Sequence, residues 1–159
     1  MSATAPRRLL FVCTGNTCRS PMAEHLFLRL AREAGLPWTA SSAGTAAAAG
    51  MPLSRGAAAV FAARGIGPVA HRARRVDAAL LREADAVYTL ERAHRDELAA
   101  RFPEAAAKLF VLREAAGLTP ADVDDPVGAD AALYEATAAS IEEALKTLVE
   151  RHRHASNPR

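Results

Sequence analysis

The sequence predicts a single α/β domain in which a four-stranded parallel sheet has helices on both faces. Two observations predict this fold. Four short apolar segments alternate with segments of helical periodicity, a pattern typical of parallel sheets. The length of 159 residues also fits one compact domain. The predicted strands are Leu9–Cys13, Trp38–Ser42, Ala86–Leu90 and Leu109–Leu112.

Capping residues and glycine or proline stops predict where the helices lie. Ser20 is a candidate N-cap and Pro21 suits the first helical position. The first helix is therefore predicted over Pro21–Ala34, before the stop signals Gly35 and Pro37. The other predicted helices are Ser54–Arg64, Ala78–Arg82, Arg92–Arg101 and a long amphipathic helix through Tyr134, Ala138, Ile141, Leu145 and Leu148.

The two ends of the chain are predicted to lie outside this domain. Residues 1–8 lack the apolar segment of a signal peptide and are expected to form a disordered lead. Residues 9–152 are expected to form the domain, and residues 153–159 a frayed C-terminal tail. No apolar run approaches the length that spans a membrane, so no membrane association is expected.

Composition and charge argue against several classes of protein. Half of the residues are hydrophobic and 24% are charged, as in ordinary globular proteins. The formal net charge of +2 gives no reason to expect a nucleic-acid partner. Both cysteines, Cys13 and Cys18, lie in one segment, which favours a reducing, cytoplasmic setting over a disulfide framework. The histidines and cysteines show no zinc spacing, so we expect no metal and no cofactor. We expect a monomer.

The segment that joins the first strand to the first helix is the candidate functional site. A tight loop at the N-terminus of a helix directs backbone N–H groups and positive potential at a bound anion such as phosphate. Gly15 and Asn16 tolerate the backbone angles that such a loop needs. Arg19 can bind two phosphate oxygens at once. Cys13 lies where the same potential favours a thiolate. This arrangement predicts displacement at phosphorus through a cysteinyl-phosphate.

The alternative is that Cys13 is a buried structural residue, the usual fate of a cysteine at the end of a strand. The spacing to Arg19 would then be a coincidence. The strand–loop–helix context favours the catalytic interpretation, because it is the context that a phosphate-binding loop requires.

The loop resembles the signature of the low-molecular-weight protein tyrosine phosphatase family, in which Cys-x5-Arg-Ser follows a hydrophobic strand. The resemblance extends from Leu9 to the last long helix. It implies that Cys13 is the nucleophile, that Arg19 clamps the phosphate and that the Ser20 hydroxyl donates to the sulfur. The family also places a general acid in an Asp-Pro pair of a late loop, which here is Asp125. The implied phosphate-binding residues are Thr14, Gly15, Asn16, Thr17, Cys18, Arg19 and Ser20.

The resemblance implies two further residues that support the loop. Ser42 lies in a Ser-Ala-Gly motif and would brace Asn16. His71 lies in a His-x-Ala-Arg motif and would support the same network. From the residues alone, Ser42 is nearly as well explained as a turn serine, and residues 71–75 as a solvated basic connector.

Glu91 and His94 lie near the carboxyl end of the third predicted strand, where ligands bind in open α/β sheets. The simpler interpretation is that both belong to the solvated start of the next helix, and the sequence favours it.

Three activities compete for this site. Tyrosine phosphatases of this type carry a bulky aliphatic residue where this loop has Thr17, and aromatic residues after the Asp-Pro pair, where this chain has Val127. The protein arginine phosphatase branch resembles the segment from Cys13 to Glu24 more closely, although it has phenylalanine at the position of Val127. A hydroxyl at Thr17 suits a polar phosphoguanidinium, so phosphoarginine in a protein is the favoured substrate and phosphotyrosine the alternative.

Arsenate reductases share the fold but use additional cysteines, which this chain lacks.

Overall fold

The four predicted strands form one parallel sheet in the computed structural model, which describes residues 7–126, 128 and 130–156. The strands are β1 (Arg8–Cys13), β2 (Thr39–Gly44), β3 (Ala86–Thr89) and β4 (Leu109–Val111). Their order across the sheet is β2-β1-β3-β4, and every pair is parallel. The carboxyl ends of all four strands therefore lie along one edge, where the loops that follow them meet.

The helices of the described residues lie on both faces of this sheet, as predicted. They are α1 (Arg19–Glu33), α2 (Arg55–Ala63), α3 (Ala78–Glu83), α4 (Arg92–Arg101), α5 (Leu112–Ala115) and α6 (Ala131–Ser156), with a 3₁₀ helix at Pro103–Lys108. No helix of the described residues is both long enough and apolar enough to cross a membrane.

The central strand β1 shows how the core is divided between the two faces. Leu9, Phe11 and Cys13 pack in one cluster with residues of α1 and α6. Leu10 and Val12 point to the opposite face and pack with residues of α3 and α4. A strand covered on both faces needs a continuous apolar sequence rather than an alternating one. This requirement explains the apolar run that ends at Cys13.

The predicted start of the first helix is wrong. Helix α1 begins at Arg19, its N-cap is Cys18, and the Cys18 side chain makes no capping hydrogen bond. Ser20 does not cap the helix because its hydroxyl lies 3.0 Å from the sulfur of Cys13. Strand β2 is also shifted relative to the prediction, because Ala43 and Gly44 pair with the last two residues of β1.

Two further boundaries differ from the prediction. Arg8, expected in the disordered lead, is the first residue of β1 because it pairs with Thr39 and its N–H donates to Asp85 at 2.7 Å. Helix α6 continues to Ser156, through part of the segment expected to fray, and no glycine or proline interrupts the chain before Pro158. Residues 1–6 and 157–159 lie outside the described residues, as does Val127.

Candidate active site

The loop between β1 and α1 is held from outside through its carbonyl oxygens. The carbonyl of Cys13 accepts from Thr45 N–H at 2.9 Å, that of Thr14 from Ala46 N–H at 3.0 Å, and that of Thr17 from Ser54 N–H at 2.9 Å. A loop whose carbonyls bond outward directs its N–H groups inward, where they form a cradle for an anion.

Cys13 lies at the base of this cradle and is almost fully buried. Its sulfur accepts a hydrogen bond from Asn16 N–H at 3.3 Å and lies 3.0 Å from the Ser20 hydroxyl. Both groups can donate to a negatively charged sulfur and so can support Cys13 as a nucleophile.

Asn16 is the centre of a buried network that fixes the loop. Its φ of 55° lies in the left-handed region, which asparagine tolerates better than most residues. Its amide nitrogen donates to Ser20 Oγ at 2.8 Å and to Ser42 Oγ at 3.0 Å, while its amide oxygen accepts from Arg74 N–H at 3.0 Å. His71 Nε2 donates to the Asn16 carbonyl at 2.6 Å. The structure thus brings Ser42 and His71 to the loop residue that they were expected to support.

Arg19 is buried at the other end of the loop, with 2% of its side chain exposed. Its Nη1 lies 3.0 Å from Glu91 Oε1 and donates to the carbonyl of Val123 at 2.8 Å. Its Nη2 lies 3.7 Å from Asp125 Oδ2. Its Nε has no partner within the described residues. These contacts hold the guanidinium in one position and leave a buried donor for a ligand.

Asp125 reaches the loop from the segment before α6. The Cys18 thiol donates to Asp125 Oδ1 at a sulfur–oxygen distance of 3.6 Å. Burial, and after it the nearby Cys13 and Asp125 side chains, raise the pKa of Cys18 to about 12. Cys18 is therefore a neutral thiol at physiological pH, beside the carboxyl group of Asp125, which is about half exposed.

The structure overturns the interpretation of Glu91 and His94 as a solvated helix start. Glu91 is the ion-pair partner of Arg19, and His94 is 5% exposed. Nδ1 of His94 accepts from Glu91 N–H at 3.1 Å, and Nε2 lies 2.8 Å from Thr14 Oγ1. Burial, followed by the charge of Arg19, lowers the pKa of His94. The only signal in the sequence was their position after β3, at the carboxyl edge of the sheet.

Thr17 and Val127 were the two residues expected to select the substrate. Thr17 is half-buried in the loop. Its carbonyl accepts from Ser54 N–H, but its hydroxyl bonds to none of the residues that the structure describes. The position of Val127 lies outside those residues, so only Thr17 can be placed in the site.

The model for the low molecular weight phosphotyrosine protein phosphatase family matches residues 8–157. The chain belongs to this family. It is therefore a protein phosphatase, as the loop sequence predicted, and its fold and its Cys-x5-Arg loop are those that the resemblance implied.

Relatives of this phosphatase carry both candidate activities in their names. A protein-arginine-phosphatase of Geobacillus stearothermophilus is 37% identical over 92% of this chain and 96% of its own length. Low molecular weight protein-tyrosine phosphatase A of Mycobacterium tuberculosis is 38% identical over 90% of each chain. A solved structure of a mutant YwlE arginine phosphatase with a phosphorylated active-site serine has a TM-score of 0.86 and 33% identity, and covers 91% of this chain and 94% of that one.

Proposed function

We propose that this phosphatase hydrolyses phosphoarginine in proteins, with Cys13 as the nucleophile. The hydroxyl of Thr17, which bonds to none of the described residues, carries the proposal for phosphoarginine. A hydroxyl can accept a hydrogen bond from a guanidinium N–H and can donate one to the attacking water. A phenyl ring of phosphotyrosine offers it no such partner, and would pack better on an aliphatic side chain.

Identity to relatives does not separate the two substrates, since the arginine and tyrosine phosphatases named above are 37% and 38% identical to this chain. The local alternative was that the Thr17 hydroxyl bonds a backbone group within the loop. Among the described residues it makes no such bond, which favours a role toward substrate.

The first chemical step uses the loop as a phosphate cradle. The inward N–H groups and Arg19 Nε bind the phosphoryl oxygens, and the Cys13 thiolate attacks phosphorus from the base of the cradle. The phosphorus–nitrogen bond of phosphoarginine breaks as the sulfur–phosphorus bond forms. Asp125 donates a proton to the departing guanidine nitrogen.

The second step returns the enzyme to its starting state. Asp125, now a carboxylate, removes a proton from a water molecule, which attacks the phosphocysteine and releases inorganic phosphate. Ser20 donates to the sulfur as it departs. Because Cys13 must be a reduced thiol, we also propose that the enzyme acts in a reducing compartment such as the cytoplasm.

A comparison of matched peptides tests the substrate. Two peptides of one sequence, carrying phosphoarginine or phosphotyrosine at the same position, are assayed with the wild-type enzyme and with Thr17→Ile and Thr17→Ser variants. Loss of one hydrogen bond in the transition state costs about 1–3 kcal/mol, or about one to two decades in rate. We expect Thr17→Ile to lower phosphoarginine turnover by that amount and to raise phosphotyrosine turnover, while Thr17→Ser keeps the wild-type preference.

Two results would contradict the proposal. One is a wild-type enzyme that prefers the phosphotyrosine peptide. The other is an equal loss on both peptides in Thr17→Ile, which would show that the hydroxyl supports the loop rather than the substrate.

A further inference from the structure

A hydrogen-bonded chain runs from the start of α4 to the first residue of the phosphate-binding loop. It begins at the backbone N–H of Glu91, which donates to His94 Nδ1 at 3.1 Å. It ends at Thr14, whose Oγ1 lies 2.8 Å from His94 Nε2. Neither His94 nor the Thr14 side chain has a role in the chemistry described above.

The proton positions along this chain follow from its first bond. A neutral imidazole has one N–H and one acceptor nitrogen. Since Nδ1 accepts from a backbone N–H, which can only donate, the hydrogen of neutral His94 lies on Nε2. His94 therefore donates to Thr14 Oγ1. A second acceptor, Glu91 Oε2, lies farther from Nε2, at 3.5 Å.

Thr14 receives a second donor from Arg19. Arg19 Nη2 donates to the same Oγ1 at 3.5 Å. A hydroxyl has two acceptor lone pairs and one hydrogen to donate. With donors on both lone pairs, the oxygen of Thr14 has only its own hydrogen left, and no acceptor for it lies within the described part of the chain.

We propose that His94 is a positioning residue that turns the Thr14 hydroxyl into a donor aimed at the phosphoryl group. Thr14 directly follows the nucleophile in the loop, and it is exposed. Its fixed O–H supplements the backbone N–H groups and Arg19 Nε as charge shifts onto the phosphoryl oxygens. Such preorganised donors lower the barrier without reorganising during the reaction. The inference holds for either substrate and does not depend on Thr17.

His94 also has a purely structural role, because it forms a capping box at the start of α4. Two substitutions separate the roles. In His94→Asn, the amide oxygen can replace Nδ1 and keep the cap, but the side chain is too short to reach Thr14. In His94→Gln, the amide nitrogen can replace Nε2 and reach Thr14, but the cap is lost.

The test measures kcat and KM with an activated aryl phosphate, so that a failure of the phosphoarginine proposal cannot affect it. We expect His94→Asn to lower kcat about tenfold with little change in KM or in melting temperature, because one donor to the transition state is misdirected. We expect His94→Gln to melt at a lower temperature but to keep a kcat closer to that of the wild type. Asp77→Ala, which removes the N-cap of α3, serves as the control for loss of a cap alone and should lower only the melting temperature.

A double-mutant cycle with Thr14→Val shows whether His94 acts through the hydroxyl. Once Thr14→Val has removed that hydroxyl, we expect the added His94→Asn substitution to lower kcat no further. A loss of kcat in the double variant equal to the product of the two single losses would overturn the proposal. So would a His94→Asn enzyme with full kcat, which would leave His94 a capping residue only.

Discussion

The ion pair between Arg19 and Glu91 has a measurable consequence for stability. The Arg19 side chain is 2% exposed and that of Glu91 28% exposed. Removing one partner of a fully buried ion pair lowers the free energy of unfolding by about 3–5 kcal/mol. Glu91 is partly solvated, and Asp125 lies 3.7 Å from the same guanidinium, so a second carboxyl group remains near Arg19. We therefore expect Glu91→Gln to lower the free energy of unfolding by less, about 2 kcal/mol. The melting temperature should fall by about 4–8 °C.

The same substitution should strengthen the binding of phosphate. Glu91 and a bound phosphate share one positive guanidinium, and their mutual repulsion across it is on the order of 1 kcal/mol. Phosphate should therefore bind the Glu91→Gln variant about fivefold more tightly than it binds the wild type. Added phosphate should also raise the melting temperature of the variant by more than it raises that of the wild type. Thermal melting at increasing phosphate concentrations measures both effects.

A surface pair provides the control for this prediction. Glu97 pairs with Arg101 at 3.1 Å, and both side chains are exposed, so Glu97→Gln should change neither the melting temperature nor phosphate binding noticeably. Weaker phosphate binding by Glu91→Gln would refute the reasoning, because it would show that Glu91 orients Arg19 for the ligand rather than competing with it.

Three further predictions concern the acid, the second cysteine and pH. Asp125→Ala should lower kcat by about 10²–10⁴-fold for substrates with poor leaving groups and much less for activated aryl phosphates. Asp124→Ala should have a far smaller effect on kcat. Equal losses of kcat in the two variants would show that Asp125 is not the general acid. Peroxide should oxidise Cys13 to a sulfenic acid. The Cys18 thiol, whose proton can pass to Asp125, should then convert the sulfenic acid to a disulfide with loss of water, so that a thiol reductant restores activity; mass spectrometry showing a sulfinate on Cys13 beside free Cys18 would contradict this. Because the native pKa of His94 is lowered, the unfolded chain binds more protons as pH falls below about 6.5, and stability should decrease with it. Melting temperatures from pH 7 to pH 5 should therefore fall less in His94→Asn than in wild type.

Much of the fold follows from local patterns in the sequence. The alternation of apolar strands with helical segments is visible without tertiary information, and it predicted the parallel sheet with helices on both faces. The errors arose where tertiary contacts override local preference. Ser20 has the residue type of an N-cap, but its hydroxyl is directed to the sulfur of Cys13. Arg8 belongs to the sheet because of Thr39 and Asp85, which are distant in sequence.

The same distinction explains which parts of the site could be predicted. The loop from Cys13 to Arg19 is contiguous, so its chemistry can be recognised from spacing alone. Glu91 and His94 act on Arg19 and Thr14, which lie more than 70 positions earlier. Nothing near them in the sequence distinguishes them from the ordinary start of a helix. Only the folded sheet edge brings these residues to the loop.

A single-turnover experiment with a phosphoarginine peptide tests the central claim most directly. The enzyme in excess is mixed with the peptide and quenched on the millisecond timescale, and the phosphorylated residue is located by mass spectrometry. We predict a phosphoryl group on Cys13, formed together with free arginine peptide and lost as inorganic phosphate appears, and none in Cys13→Ala. Release of phosphate with no phosphorylated Cys13, or loading of Cys13 by the matched phosphotyrosine peptide alone, would contradict the account.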